Sequence, residues 1–192
     1  MSGGPAHPGF ADPVRDSQAI FRAVLDAMAR PGRVHEVDAP AAPPKPLDRA
    51  TAATLLTLVD GDTKLWMDQA ASCAREWVAF HCGAPEAAVA EARLGLAFGD
   101  APLGSLPAGT DEEPEGSATL ILQVEALGEG ERFRLSGPGL AAPVTLAVRG
   151  LGPAFTTAWA RNRALFPRGV DVILCAGSRL AALPRTVMLE WG

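Results

Sequence analysis

The chain has 192 residues, of which 48% are hydrophobic, so it is long enough for one domain with a proper core and too apolar to be disordered by default. It carries 22 acidic against 17 basic side chains, a formal net charge of −5, which offers no positive field for a nucleic-acid backbone. No apolar run approaches the roughly 20 residues of a membrane span, and the opening Met-Ser-Gly-Gly-Pro-Ala-His-Pro-Gly lacks the apolar stretch of a secretory signal.

Residues 1 to 9 read as a mobile tail and residues 10 to 192 as a single domain. Asp12-Pro13 is a helix start, since Asp can cap free amides and Pro suits the first helical position. Ile20, Val24 and Met28 recur every fourth residue with Phe21 and Leu25 beside them, one expected apolar stripe that stops at Pro31-Gly32. Pro40, Pro43, Pro44 and Pro46 then punctuate a connector. Asp48 is expected to cap a second helix with Ala52, Leu55, Leu56 and Val59 inward, ended by Asp60-Gly61-Asp62. Thr63 to Met67 reads as a short strand. A third helix is expected from about Ala71 to His81, with Cys73, Trp77 and Phe80 inward, closed by Gly83 and Pro85.

Ala92 to Phe98 reads as a strand, followed by a long irregular loop to Gly116 with the acidic run Asp111-Glu112-Glu113. Ala118 to Val124 is apolar almost throughout, as a strand covered on both faces requires. Gly128-Glu129-Gly130 is expected to turn the chain into a second hairpin arm, Arg132 to Leu135. Ser136 to Gly139 is a loop and Val144 to Val148 another strand. Pro153 opens a helix with Phe155 and Trp159 at i, i+4. Val170 to Cys175 is a buried strand, Ala176-Gly177-Ser178 a turn, and Thr186 to Trp191 the final strand. Interleaved helices and strands favour a three-layer α/β architecture with a mixed sheet.

Several kinds of chemistry can be sought in this pattern. A phosphate-binding loop needs a glycine-rich turn ending in lysine and a hydroxyl residue, and neither Lys45 nor Lys64 has that setting. Gly137-Pro138-Gly139 lacks the further glycine of a dinucleotide site and reads as a loop. Pyridoxal phosphate needs a desolvated lysine for its imine, and the two lysines sit in a connector and beside a turn. Cys73, Cys82 and Cys175 show no disulfide spacing, which fits a reducing cytosol with thiols buried rather than paired. Cys73, His81 and Cys82 fall short of a zinc site, which needs four ligands in paired spacings. Cys82 at a helix C-terminus is disfavoured as a thiolate.

His81 alone of the histidines lies in an expected packed segment; His7 falls in the tail and His35 in a connector. It is either a satisfied structural histidine or a ligand- or partner-binding group. Asp60-x-Asp62 lacks the further ligands of a calcium loop and reads as a turn. Arg22, Arg30 and Arg33 cluster near the end of the first helix and Arg185 heads the last strand. Arg22 with Arg185 could form an anion clamp beside His81, or all could be plain surface charge.

One set of segments taken in order is distinctive. It comprises Phe21-Arg22 through Ala27-Met28-x-x-Pro31-Gly32, Leu47-Asp48-x-x-Thr51-Ala52 through Leu55-Leu56-Thr57-Leu58, and Asp60-x-x-Thr63. Phe80-His81-x-Gly83-Ala84-Pro85, Pro114-Glu115-x-x-Ala118-Thr119-Leu120 and Leu135-x-Gly137-Pro138-Gly139 follow. Phe166-Pro167-x-Gly169-Val170-Asp171 and Leu183-Pro184-Arg185-Thr186 complete it. Together they resemble the PhnH family, subunits of the bacterial carbon–phosphorus lyase system, over roughly Phe10 to Glu190. Cys82 and Val187 depart from the family pattern.

The resemblance implies a fold similar to the core of pyridoxal-phosphate-dependent transferases without the cofactor, and a cytoplasmic homodimer. It further implies a core complex with PhnG, PhnI and PhnJ. With PhnG, PhnI and PhnL, such a subunit serves the displacement of adenine from ATP, bound with Mg²⁺ as substrate, by a phosphonate. The product is ribose 1-phosphonate 5-triphosphate. The resemblance assigns no catalytic residue, metal or cofactor to this subunit. The alternatives are a phosphonate- or nucleotide-binding module, and a stand-alone enzyme using His81 with an arginine clamp.

Overall fold

The structure, a computed structural model, describes residues 9–37 and 42–192. His7, most of the expected tail and Pro40 of the connector lie outside the described residues.

Helix α1 (Pro13–Ala29) starts as the sequence requires. Asp12 accepts from the amide of Arg15 at 3.1 Å, while its own amide donates to Asp16 Oδ2 at 3.0 Å, so two otherwise orphaned donors are satisfied reciprocally. Ile20, Val24 and Ala27 form the buried face. Phe21 and Leu25 are 46% and 52% exposed, which corrects the single stripe expected from the sequence. At 100° per residue, positions 20 to 28 cover more than one face, and the turn that buries 20, 24 and 27 faces 21 and 25 away.

Helix α2 (Arg49–Leu58) is buried nearly all round from Ala50 to Leu55, because it lies between α1 and the sheet with α3 (Arg75–Cys82) alongside. Small residues permit that close approach. The buried hydroxyl of Thr54 is satisfied by donating to the Ala50 carbonyl at 2.8 Å. Asp48 stands at the cap position but does not cap the helix with its side chain. Its carboxylate accepts instead from Gly177 N at 2.8 Å, which corrects the expected role. Around α3, Trp77, Val78 and Cys82 turn inward and Gly83 ends the helix at φ +66°. Cys73 and Phe80 are exposed, against expectation. Cys73 lies in a 3₁₀ turn, residues 69 to 74, whose threefold winding offsets the face read from an uninterrupted α-helix, whereas Phe80 lies off the α-helical face that Trp77, Val78 and Cys82 define.

The main sheet has six strands: β1 (His35–Glu36), β2 (Leu65–Met67), β3 (Leu94–Phe98), β4 (Thr119–Gln123), β7 (Asp171–Ala176) and β8 (Arg179–Leu183). Their order is β1-β8-β7-β4-β3-β2, with β2, β3, β4 and β7 parallel, β8 antiparallel to β7 and β1 antiparallel to β8, so the sheet is mixed as expected. Side chains alternate between two cores. Ile121, Ile173, Cys175, Leu180 and Ala182 face the helices α1 to α3. Leu120, Leu122, Val172, Leu174, Ala181 and Leu183 face a second layer. That layer is a three-stranded antiparallel sheet, β6 (Val144–Arg149), β5 (Ala126–Ser136) and β9 (Met188–Trp191), with α4 (Pro153–Arg163) packed on β9.

Three strand expectations are corrected. Gly128 to Gly130 is a bulge inside one eleven-residue strand, not a turn, with a register shift against β6 between Leu127 and Glu131. A Cβ on Gly130 would stand 2.6 Å from Arg149 N, so only glycine admits this approach. The chain reverses later, between Ser136 and Val144. Strand β8 was not expected; it follows β7 across the two-residue turn Gly177-Ser178, with Gly177 at φ +57°. Strand β1 lies where the sequence predicts a connector.

Two polar ties hold the layers in register. Asn162, buried in α4, donates to Val170 O at 2.8 Å and accepts from Val170 N at 2.7 Å. Replacing Asn162 with Ala leaves both backbone groups unmatched, and stability falls by about 2–4 kcal/mol. Urea unfolding followed by circular dichroism measures this, and a loss under about 0.5 kcal/mol contradicts the role given to the amide.

Candidate functional site

The parallel strands β3, β4 and β7 end at one edge of the sheet, where open α/β sheets offer a crevice. Here it has a volume of about 380 Å³ and is lined by Asp48, Phe98, Gly99, Gln123, Val124, Glu125 and Gly150. A second hollow of about 410 Å³ adjoins it through Phe98, Gly99 and Gly150 and extends to Phe155 of α4. A third, of about 430 Å³, shares Asp48 and reaches Lys45, Arg49 and Ser178.

Gln123 organises this edge. As the last residue of β4, it turns its amide toward the start of α2. Its Oε1 accepts from Asp48 N at 2.9 Å and from Thr51 Oγ1 at 2.7 Å, and its Nε2 donates to Pro46 O at 2.8 Å. Asp48 completes the frame by accepting from Gly177 N, and Ala50 N donates to Gly177 O at 2.9 Å. One side chain thus joins β4, the segment before α2 and α2 itself, while Asp48 adds the β7–β8 turn. The Gly177 carbonyl therefore already occupies the N-terminus of α2, with the Asp48 carboxylate beside it. With Asp48 and Glu125 in the lining, the crevice favours neutral or cationic groups over a bare anion. No signal in the sequence marked Gln123, because a lone glutamine at a strand end has no periodicity or spacing to betray it.

The residues singled out from the sequence lie elsewhere. Arg22 is exposed on α1. His81 is half-buried in the last turn of α3. Its ring packs on Trp77 at 4.8 Å between centroids and meets Phe80 edge-on at 5.0 Å, with Gly9 against its other side. Arg185 lies between β8 and β9, and its guanidinium is fully engaged. It pairs with Asp171 through Nη2 at 2.6 Å and Nε at 3.2 Å, and Nη1 donates to Pro114 O at 2.8 Å. Both partners are largely buried, at 17% and 14% exposure, so this pair anchors the start of β7 and the loop before β4. Arg185 is a tie within the fold, and Arg22 lies on a different element from it. The same loop is held at Asp111, which pairs with Arg168 at 3.1 Å.

Arg30, Arg33 and His35 all converge on Asp26. Arg33 Nη1 is 3.2 Å away and His35 Nε2 3.1 Å, the latter without hydrogen-bond alignment. Burial first, then the charges of Arg33 and Arg30, lower the pKa of His35, so its imidazole stays neutral at pH 7. Asp60 accepts from Thr63 Oγ1 at 2.7 Å and from Asp62 N at 3.1 Å, which is the helix-ending turn expected. Among the described residues no group of three or more His, Cys, Asp or Glu side chains converges as metal ligands would. Burial pushes the Cys82 thiol up to about 11 and Cys175 up to about 12, so neither forms a thiolate nucleophile near neutral pH.

Fold and crevice together define a mixed-sheet α/β protein with an open crevice of polar and apolar side chains at the strand ends. Residues 8–190 match the model of the bacterial phosphonate metabolism protein family PhnH, and the chain belongs to that family. It is 41% identical over 191 residues, 94% of each chain, to the alpha-D-ribose 1-methylphosphonate 5-triphosphate synthase subunit PhnH of Rhizobium meliloti (strain 1021). It is 36% identical over 177 residues to a putative C-P lyase subunit protein, HtxG, of Stutzerimonas stutzeri, covering 90% of this chain and 85% of that one. Among the described residues no helix is long and apolar enough to cross a membrane.

Two outcomes test this description. Gln123→Ala leaves three partners of the amide unmatched, so stability drops by about 2–3 kcal/mol in urea unfolding. A neutral result contradicts its organising role. Iodoacetamide at pH 7.5 modifies the native chain at Cys73, the exposed thiol, and spares Cys82 and Cys175. Peptide mass mapping reads this, and modification of Cys175 before unfolding contradicts its burial.

Proposed function

We propose that this chain is a non-autonomous subunit of an assembly that acts on alkylphosphonates. In that reaction a phosphonate oxygen attacks C1′ of the ribose of ATP, which is bound with Mg²⁺. The glycosidic C–N bond breaks, its electron pair leaves with adenine, and adenine takes up a proton. The product is ribose 1-phosphonate 5-triphosphate, the substrate for later C–P cleavage. Homologues of PhnG, PhnI and PhnL share this step, and PhnG, PhnI and PhnJ homologues form the core complex with a homodimer of this chain. The subunit itself contributes no cofactor.

The observation that carries this reading is the 41% identity, end to end, with a chain named as a subunit of a ribose 1-methylphosphonate 5-triphosphate synthase. The geometry supports it from another side. The reaction needs a proton for the leaving adenine and several donors for a triphosphate, and the strand-end crevice offers carboxylates and an already engaged amide. The stand-alone reading needs Arg185 free for an anion, and its guanidinium is held by Asp171 and Pro114. Arg22 and His81, on the helical layer, are in this reading contacts to a ligand or a partner shared with other subunits. The binding-module alternative keeps the crevice, whose glycine walls and Phe98 suit a neutral ring.

Coexpression with PhnG, PhnI and PhnJ homologues yields one complex that contains the chain through affinity and size-exclusion steps. Separate elution of this chain from an otherwise intact complex contradicts the assignment.

A further inference from the structure

Away from the crevice, the loop after β5, the end of α4 and the lead into β9 enclose a hollow of about 420 Å³ lined by Pro138, Arg163, Ala164, Phe166 and Thr186. Its walls are mostly hydrocarbon. Phe166 is 65% exposed, and Leu165 beside it and Met188 near Thr186 are each 37% exposed. An aromatic ring left this open at the lip of a hollow is the anatomy of an interface centre, where exclusion of water from an anchor side chain supplies affinity.

The charge at the rim is equally specific. Arg161 and Arg163 occupy the last turn of α4 and are exposed. Neither forms an ion pair among the described residues, in a chain whose net charge is −5. The C-terminus of α4 favours cations there, which explains their tolerance but not the apolar hollow between them and Pro138. A small dianion such as a phosphonate would need several converging donors. Here Arg163 is the one charged group in the lining.

We propose that this hollow is the docking site for an acidic segment of a partner subunit. The segment seats one apolar side chain between Phe166 and Pro138 and sets a carboxylate on Arg163. Hydrophobic burial holds it, and the arginines select sign and register. The proposal deepens the subunit reading and rests on it for the identity of the partner.

The test uses the full chain alone, so its outcome is separable from that of coexpression. Anisotropy is read on a labelled peptide in which Leu-Phe is flanked by glutamates, and on its twin flanked by lysines. The acidic peptide binds saturably and at least about tenfold more tightly than its twin, and added salt weakens it. Phe166→Ser and Arg163→Glu each cut that affinity by at least about tenfold, whereas Phe21→Ser on the exposed face of α1 leaves it unchanged. Circular dichroism checks that each variant is folded. The proposal is overturned by equal affinity for the two peptides, by no binding up to about 1 mM, or by full binding to Phe166→Ser. Displacement of the peptide by methylphosphonate or inorganic phosphate at comparable concentration assigns the hollow to a small anion and overturns it too.

Discussion

Strands β4 and β7 are buried on both faces, and the layering of the molecule follows from that. Ile121 and Ile173 close one core while Leu120, Leu122, Val172 and Leu174 close the other, so neither strand has a solvated side. A sheet in that position needs two covering layers. The chain supplies three helices on one side, and a second sheet with α4 on the other. Polar groups at the strand ends must then be matched by side chains. Gln123 does so at the end of β4, Asn162 just before β7, and the Arg185–Asp171 pair at its start.

This division of labour explains what the molecule offers to a reaction. The strongest polar groups are consumed in holding the frame. Arg185 has both edges of its guanidinium occupied, Asp48 receives Gly177, and two of the three thiols are pushed out of the reactive range by burial. What is left open is the strand-end crevice, exposed apolar side chains on α1 and α3, and the hollow around Phe166. Surfaces of this kind are matched by other chains, which is consistent with membership of a family whose relatives are named as subunits.

Much of the fold was legible in the sequence wherever a local rule had one physical solution. Asp12-Pro13 supplies the cap and first position of α1, and the apolar run at 118 to 124 becomes β4, covered on both faces. The failures fall where one signal has two solutions. Gly128 and Gly130 permit a turn or a bulge, and the choice was made by Arg149 on the neighbouring strand, nineteen residues beyond Gly130. Cys73 is turned outward by a change of helical winding that leaves no mark in composition, and Phe80 by the inward face of α3 lying on Trp77, Val78 and Cys82. By contrast, β8 was missed although Gly177-Ser178 between two apolar runs is a hairpin signal in its own right. The family resemblance rested on ordered short motifs, many of which are loops and caps, and the match over residues 8–190 bears it out. The likeness to pyridoxal-phosphate-dependent transferases is an implication of that resemblance, whereas the geometry itself establishes a mixed sheet with a second antiparallel one. Neither the crevice nor the role of Gln123 was legible, since both are made by contacts across some seventy-five positions.

The proposed dependence on partner subunits is read from adenine release from ATP and methylphosphonate with Mg²⁺. None above background is expected from the rigorously purified chain, and release is expected once the partner subunits are added. Sustained release by the chain alone, at roughly the 1 s⁻¹ or more of an ordinary enzyme, would contradict it.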